Sequence, residues 1–140
     1  MGCYNTCVVP ATADEVWAAL RDFHNLAWGE PVVSSVEAIG DHGPTTPGAR
    51  RVLNGAFHET LLSVDDENRT LTYSIDDGPE AVSKDSVQGY VGKVRAVPVT
   101  DSDETFVEWS SSWTDSKGGV AEFCNPIYMA LLERLKSHFA

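Results

Sequence analysis

Residues 9–29 read VPATADEVWAALRDFHNLAWG, residues 48–53 read GARRVL and residues 59–75 read ETLLSVDDENRTLTYSI. The first stretch predicts the end of a strand, an amphipathic helix and a loop that carries a tryptophan. The third predicts two alternating strands joined by an acidic turn, with one carboxylate and one phenol among apolar residues. Together these stretches favour a curved antiparallel sheet with polar groups on its inner face.

The helix in the first stretch has a clear start signal. Thr12 is its predicted N-cap, and Glu15, three residues later, completes a capping box. Apolar residues recur at helical spacing over residues 16–23, so we expect this face of the helix to be buried. Residues 24–31 are predicted to form a second short helix or a loop, because a glycine and a proline interrupt them.

Strands dominate the middle of the chain. The predicted strands cover residues 3–9, 32–39, 50–53, 56–64, 70–75, 87–99 and 105–114. Asn54-Gly55, between two of them, is a strong signal for a two-residue hairpin. Residues 118–140 carry an apolar stripe at helical period and predict a long terminal helix. Pro126 falls inside this helix and predicts a kink or a restart, which Asn125 could cap.

This order of elements predicts an α+β fold with one curved antiparallel sheet. A strongly twisted sheet of this size curls, and its concave face must be covered. The terminal helix is the only predicted element that is long enough to cover it. At 140 residues the chain is expected to form one domain, with a core and one internal cavity between the sheet and the helix.

The composition excludes several classes of function. The formal net charge of −11 argues against nucleic acid and anionic membranes as partners, because both would repel the chain. No apolar run is long enough to span a bilayer, and the first residues do not read as a secretory signal. The three cysteines lack metal-ligand spacing, so we expect reduced thiols in a cytoplasmic protein. His24 and His58 lie on different predicted elements, so we expect no metal and no other cofactor.

Motifs with matching spacing occur along most of the chain. They are Val9-Pro10-Ala11, Glu15-Val16-Trp17, Leu20-Arg21-Asp22-Phe23, Trp28, Gly48-Ala49-x-Arg51, Glu59-x-Leu61, Arg69-x-Leu71-x-Tyr73, Gly89-Tyr90 and Val107-x-Trp109. These motifs resemble the START-like superfamily, and most of all its polyketide cyclase/dehydrase and lipid-transport group. Abscisic acid receptors and pollen allergens belong to the same superfamily. The resemblance implies the helix-grip fold: about seven strands wrapped around a long C-terminal helix, with two short helices after the first strand.

The resemblance also orients the strands. In the receptor branch of the superfamily, the residue that matches Glu59 faces the cavity, and strand alternation then places every second residue of each strand on that side. Trp28 is expected at the cavity mouth, because the loop after the first helix is a natural lid. The predicted ligand-binding residues are Trp28, Arg51, Phe57, Glu59, Leu61, Tyr73, Tyr90, Trp109, Ser111, Trp113, Phe123 and Ile127.

Glu59 is the leading candidate for chemistry. Desolvation in an apolar, aromatic cavity raises the pKa of a carboxyl group, which would suit a general acid or base. Arg51, on the adjacent predicted strand, could instead pair with Glu59 and hold it charged as a ligand anchor. Tyr73 and Tyr90 are the other catalytic candidates, because each offers a phenolic proton.

Three functions stay open at this point. The first is binding or transport of a small hydrophobic molecule, aromatic or polyketide-like in structure. The second is a cofactor-free cyclase, dehydratase or isomerase that moves protons through Glu59 and a tyrosine. The third is a regulatory module with a gate loop, at residues 40–48 or 77–86, that recruits a protein partner. The expected partner is a small hydrophobic ligand, and the sequence does not distinguish a monomer from a homodimer.

Overall fold

The first helix, α1 (Ala13–Leu20), begins at the predicted cap. The Thr12 hydroxyl accepts a hydrogen bond from the Glu15 backbone N–H at 3.3 Å, and the Glu15 carboxylate accepts one from the Thr12 N–H at 3.4 Å. This capping box satisfies donors that the start of a helix otherwise leaves unpaired. The predicted start of the helix is therefore confirmed.

The computed structural model of the protein describes residues 2–140. Over these residues the chain forms nine strands and a second helix. The strands are β1 (Gly2–Val9), β2 (Val36–Ile39), β3 (Arg50–Leu53), β4 (Phe57–Asp65), β5 (Thr70–Asp77), β6 (Val87–Gln88), β7 (Val91–Val99), β8 (Glu104–Ser112) and β9 (Asp115–Ser116), and the second helix is α2 (Val120–His138). Seven strands form one antiparallel sheet in the order β1-β8-β7-β5-β4-β3-β2, while β6 pairs with β9.

The hairpin between β3 and β4 turns at Asn54-Gly55, as predicted, but its loop has three residues rather than two. Asn54 and Gly55 have positive φ values of 55° and 65°, the Ala56 N–H donates to the Leu53 carbonyl at 2.9 Å, and Leu53 pairs with Phe57 across residues 54–56. The resulting register places Arg51 directly opposite Glu59. Opposite residues of an antiparallel pair point to the same face, so the turn brings these two side chains together.

The sheet curves around α2, so the predicted α+β architecture with a long C-terminal helix is confirmed. The helix packs mainly against β1. The restart expected at Pro126 is wrong, because α2 continues through this residue. Asn125 does not cap a helix either: it lies within α2, and its side-chain oxygen accepts a hydrogen bond from the Asn5 amide at 2.9 Å.

Two predicted strands and one predicted helix differ from the structure by more than two residues at an end or are divided. The strand expected at residues 32–39 begins only at Val36. The strand expected at residues 87–99 is divided into β6 and β7, because Gly89 adopts a left-handed conformation with φ 65° and leaves the ladder. The second short helix is one 3-10 turn at Ala27–Gly29.

The predicted alternation of the strands is confirmed by burial. Glu59, Tyr73 and Trp109 are at most 5% exposed, whereas His58, next to Glu59 on β4, is exposed on the other face. Alternate residues of a strand point to opposite sides of the sheet. The concave face therefore carries a carboxylate, a phenol and an indole among apolar side chains.

Candidate ligand-binding cavity

A cavity lies between the concave face of the sheet and α2, and it is partly open to solvent. Its apolar walls are formed by Leu26, Val32, Val33, Leu53, Phe57, Ile75, Ile127 and Leu131. The residues with polar groups are Arg51, Asn54, Glu59, Tyr73, Tyr90, Trp109, Cys124 and Tyr128. A concave, mostly apolar space with a few convergent polar groups is typical of small-molecule sites.

Arg51 and Glu59 form a buried ion pair in the cavity wall. The Arg51 Nε donates a hydrogen bond to Glu59 Oε1 at 2.7 Å, and Arg51 Nη2 lies 2.6 Å from the same oxygen. Arg51 Nη1 donates to the Phe23 carbonyl at 3.1 Å. The guanidinium carbon also lies 3.8 Å from the centre of the Phe23 ring, where a cation is favoured electrostatically. Arg51 is therefore held on several sides.

The second oxygen of the Glu59 carboxylate is free. Both contacts of Arg51 are to Oε1, and no other group within residues 2–140 donates a hydrogen bond to Oε2. Burial raises the pKa of Glu59 above its ordinary value, while the charge and the hydrogen bonds of Arg51 act in the opposite direction. Glu59 can thus accept a hydrogen bond from a bound molecule without losing its partner.

Beside this pair, aromatic hydroxyl groups form a hydrogen-bonded chain. The indole N–H of Trp109 donates to the Tyr73 hydroxyl at 2.9 Å, which lies 3.5 Å from the Tyr128 hydroxyl. The Tyr128 hydroxyl is also hydrogen-bonded to the Tyr90 hydroxyl, which donates to Cys124 Sγ at 3.6 Å. This chain of hydrogen bonds connects β5, β8 and α2 with Tyr90, the residue before β7.

These hydroxyl groups are neutral. Burial raises the pKa values of Tyr73, Tyr90 and Tyr128 well above the ordinary value of tyrosine. Burial also raises the pKa of the Cys124 thiol to about 11. The phenols therefore act as hydrogen-bonding groups rather than as ready proton acceptors, and Glu59 is the group in the cavity suited to take up a proton.

Gly92 determines where the Tyr73 ring can lie. It sits on β7 directly opposite Tyr73 on β5. A Cβ atom at residue 92 would overlap the Tyr73 ring, so a glycine is needed for the ring to lie against the backbone of β7.

The cavity mouth is apolar and partly open. Phe57 is half-buried there, and its ring stacks on Phe123 of α2 with the ring centres 6.3 Å apart. A Cβ atom on Gly78 would lie 3.6 Å from the Phe57 ring, so residues 77–86 approach this part of the cavity. The other candidate gate loop, residues 40–48, does not line the cavity, and one of its carbonyl groups accepts a hydrogen bond from the Phe23 N–H.

The structure brings most, but not all, of the predicted site residues together. The predicted residues that line the cavity are Arg51, Phe57, Glu59, Tyr73, Tyr90, Trp109 and Ile127. The predicted residues outside its lining are Trp28, Leu61, Ser111, Trp113 and Phe123. Leu61 and Ser111 are buried in the core, Trp113 stacks on Tyr90 with ring centres 5.9 Å apart, and Phe123 lies behind Phe57.

Trp28 is not the lid that its loop position predicts. Its side chain is buried beside a small gap in the core, and its ring centre lies 6.4 Å from that of Trp109. The indole N–H of Trp28 has no hydrogen-bond partner within the described part of the chain. Trp28 thus closes the inner end of the core rather than the mouth.

Sequence reasoning missed Tyr128, the central hydroxyl of the chain. Cys124, Tyr128, Leu131 and Leu135 recur at helical spacing, and all four are buried. The prediction instead placed Ile127 in the site, the residue just before Tyr128 on the same helix. The signal was present, because Tyr128 follows Cys124 by four residues and continues the buried stripe.

Other kinds of site find no support among residues 2–140. No group of three histidine, cysteine or acidic side chains is close enough to hold a metal ion. Neither α1 nor α2 is long and apolar enough to cross a membrane.

The curved sheet, the long C-terminal helix and the partly open cavity between them define an α+β protein of the helix-grip fold. Residues 4–140 match the family model described as "Polyketide cyclase / dehydrase and lipid transport", and the chain belongs to this family. The family is part of the START-like superfamily, so the resemblance seen in the sequence is confirmed. A comparison with curated proteins found no match.

Several solved structures share the fold over nearly the whole chain. A protein from Nitrosospira multiformis has 39% identity and a TM-score of 0.96, with 100% of this chain and 97% of that chain covered. A protein from Thermobifida fusca has 25% identity and a TM-score of 0.82, with 99% and 92% covered. A protein from Bacillus thuringiensis has 22% identity and a TM-score of 0.81, with 99% and 98% covered, a similarity that shows the fold alone.

Proposed function

We propose that the protein binds a small hydrophobic molecule, aromatic or polyketide-like, between the sheet and α2. The observation that carries the proposal is a cavity with apolar walls that ends in a cluster of hydrogen-bonding groups around Glu59 and Tyr73. Phe57 at the mouth and Trp109 at the inner wall offer flat surfaces for rings, while the polar groups orient the bound molecule.

A neutral fluorescent probe tests this proposal. N-phenyl-1-naphthylamine emits more strongly in apolar surroundings, so its titration into the protein should give saturable binding of one probe per chain. Ile127→Trp should weaken binding roughly tenfold or more, because a larger side chain would fill the cavity from α2. Met129→Trp is the matched control, since Met129 is on the same helix but 61% exposed.

The comparison between the two variants decides the outcome. Binding that is lost in Ile127→Trp and kept in Met129→Trp supports the cavity as the site. Equal binding by both variants, with native circular dichroism spectra, would place the probe elsewhere. Absence of saturable binding by the wild-type protein would contradict the proposal for aromatic ligands.

A second candidate function is proton transfer on a bound substrate. The observation that favours it is the free Oε2 of Glu59, on a carboxyl group whose pKa is raised by burial. In this role Glu59 is the general acid or base, and Tyr73 or Tyr90 would exchange its hydrogen bond within the aromatic chain for one to a developing negative charge. This is the chemistry of a cofactor-free cyclase, dehydratase or isomerase.

The exchange of acidic C–H protons separates this candidate from simple binding. 2-Tetralone is a neutral bicyclic ketone, and its exchange with deuterium oxide can be followed by NMR. If Glu59 acts as a base, the wild-type protein should accelerate exchange, and Glu59→Gln should lower the rate by about 10² to 10⁴. Exchange no faster than in buffer, with the ketone bound, would remove the second candidate and leave the first.

A further inference from the structure

The charges in the cavity already neutralise each other. Of the described residues that line it, Arg51 and Glu59 are the charged ones. Arg51 is engaged by the Glu59 carboxylate, by the Phe23 carbonyl and by the face of the Phe23 ring. A ligand anion would therefore leave water without gaining a free cation, and it would lie near a second negative charge.

The protons of the aromatic chain can all be used within the chain itself. An indole N–H can only donate, so the Tyr73 hydroxyl accepts from Trp109 and keeps its own proton available for Tyr128. Tyr90 donates to Cys124 at the other end. One consistent arrangement has Tyr73 donating to Tyr128 and Tyr128 donating to Tyr90. In that arrangement no phenolic proton is free, and the groups offered to a ligand are acceptors.

We propose that the cavity selects neutral aromatic molecules that carry a hydroxyl group, whose proton is accepted by Glu59 Oε2, and that it excludes carboxylates. This inference rests on the proposed binding function and narrows the class of ligand. A ligand hydroxyl would donate the hydrogen bond that Oε2 lacks. A carboxylate can only accept hydrogen bonds, and it would face other acceptors on the tyrosine chain and on Glu59. The Arg51–Glu59 pair thus acts as a charge filter as well as an anchor.

Two matched pairs of naphthalenes test the proposal by displacement of N-phenyl-1-naphthylamine at pH 7. 2-Naphthol and 2-methylnaphthalene have nearly the same shape and differ in the hydroxyl group. 2-Naphthoate and 2-acetylnaphthalene also have similar shapes and differ in charge. We expect 2-naphthol to bind roughly tenfold or more tightly than 2-methylnaphthalene, the effect of a hydrogen bond to a charged acceptor. We expect 2-naphthoate to bind about tenfold or more weakly than 2-acetylnaphthalene.

Removal of the Glu59 charge should reverse the selection. In Glu59→Gln, Arg51 keeps its charge and loses its carboxylate, so binding of 2-naphthoate should strengthen about tenfold or more while the preference for 2-naphthol falls. Glu67→Gln makes the same change of charge in an exposed turn and is the matched control. Circular dichroism and thermal unfolding verify that both variants are folded.

The possible outcomes separate this inference from the proposed function. If no compound of the panel binds and the fluorescent probe does not bind either, the proposed function fails and the inference fails with it. If 2-naphthoate binds to the wild-type protein as tightly as 2-acetylnaphthalene, the binding function stands and the charge filter is wrong. The wild-type panel is decisive even if Glu59→Gln does not fold.

Discussion

Two arginine–carboxylate pairs, one inside the cavity and one on the surface, show what burial does to the same chemistry. In the inner pair, Arg51 and Glu59 have side chains 7% and 5% exposed, whereas in the outer pair Arg21 and Asp66 are 37% and 60% exposed. The shortest N–O distance is 2.6 Å in the inner pair and 3.0 Å in the outer pair. Arg21 binds both oxygens of Asp66, whereas Arg51 contacts only Oε1 of Glu59, so the pairs differ in geometry as well as in burial.

The difference appears in the proton affinity of the two acids. Burial raises the pKa of Glu59, whereas hydrogen bonds from Arg21 and Trp17 lower the pKa of Asp66. In the outer pair, Arg21 at the end of α1 binds Asp66 in the turn between β4 and β5. The Trp17 indole N–H also donates to Asp66. The inner pair costs desolvation energy, so its presence is weak evidence for a role in stability, and its place in the cavity wall is what the proposed role in ligand recognition rests on.

The largest loss of stability should come from removing the cation that pairs with the buried Glu59 carboxylate. Arg51→Met would leave the Glu59 carboxylate buried without its cation and should lower the free energy of unfolding by about 3–5 kcal/mol. In the double variant Arg51→Met/Glu59→Leu, which also removes the buried acid, most of the loss should be recovered. Urea unfolding at pH 7 measures both. A double variant as unstable as Arg51→Met would contradict this account of the pair.

A smaller effect is expected from the neutral groups of the cavity. Tyr128→Phe removes the central hydroxyl of the chain and leaves the hydroxyl groups of Tyr73 and Tyr90 with fewer partners. Its cost should be about 1–3 kcal/mol in the free energy of unfolding. Tyr4→Phe is the matched control, since that hydroxyl is on the exposed face and bonds to Glu108. If both variants lose the same free energy of unfolding, the buried hydroxyl contributes no more to stability than the exposed one.

The two acids should also give opposite pH dependences. With its pKa raised from the ordinary 4.5, Glu59 binds a proton more readily in the folded state, so its contribution to stability falls as the pH rises above that value. The pKa of Asp66 is lowered from 3.8, so its contribution is present above that pH and is lost as the pH falls. Unfolding curves of Glu59→Gln and Asp66→Asn between pH 3 and 7, each compared with the wild type, measure these slopes. Slopes of the same sign would contradict the comparison.

The smallest effect is expected at the surface. Arg21→Gln removes an exposed partner of Asp66 and should lower the melting temperature only slightly at low salt. The effect should vanish near 1 M NaCl, where the Debye length is about 3 Å, while the loss caused by Arg51→Met should persist. Thermal unfolding at two salt concentrations tests this, and a salt-independent loss in Arg21→Gln would show that the pair is less exposed to solvent than its geometry indicates.

Much of the fold was predictable because strand alternation and capping are local signals. The period of two along β4 and β5 decides which side of the sheet Glu59 and Tyr73 face, and a capping box marks a helix start within four residues. Local signals do not decide where a strand leaves the ladder. Gly89 divides the predicted strand through a left-handed backbone conformation, and it lies so close to Thr114 that a Cβ atom would clash with that distant residue.

The site was less predictable, because a cavity is defined by what its neighbours leave empty. Leu61 faces the interior as expected, yet it lies in the packed core outside the cavity lining, and Trp28, expected at the mouth, is buried beside Trp109. The role of Tyr128 depends on hydroxyl groups from distant strands that meet it, which no sequence window contains. The assignment of ligand-binding and catalytic roles stays a prediction that the ligand experiments decide.

Gly92 is outside the cavity, yet it determines the position of a cavity wall. Any side chain at Gly92 would overlap the Tyr73 ring. The backbone of β7 therefore determines where this part of the cavity wall lies. Replacement of this glycine would move Tyr73, and with it the chain of hydroxyl groups, without a change in any residue that lines the cavity. New ligand preferences could thus evolve, or be engineered, from the layer behind the site. A comparison of relatives restricted to lining residues would overlook this route.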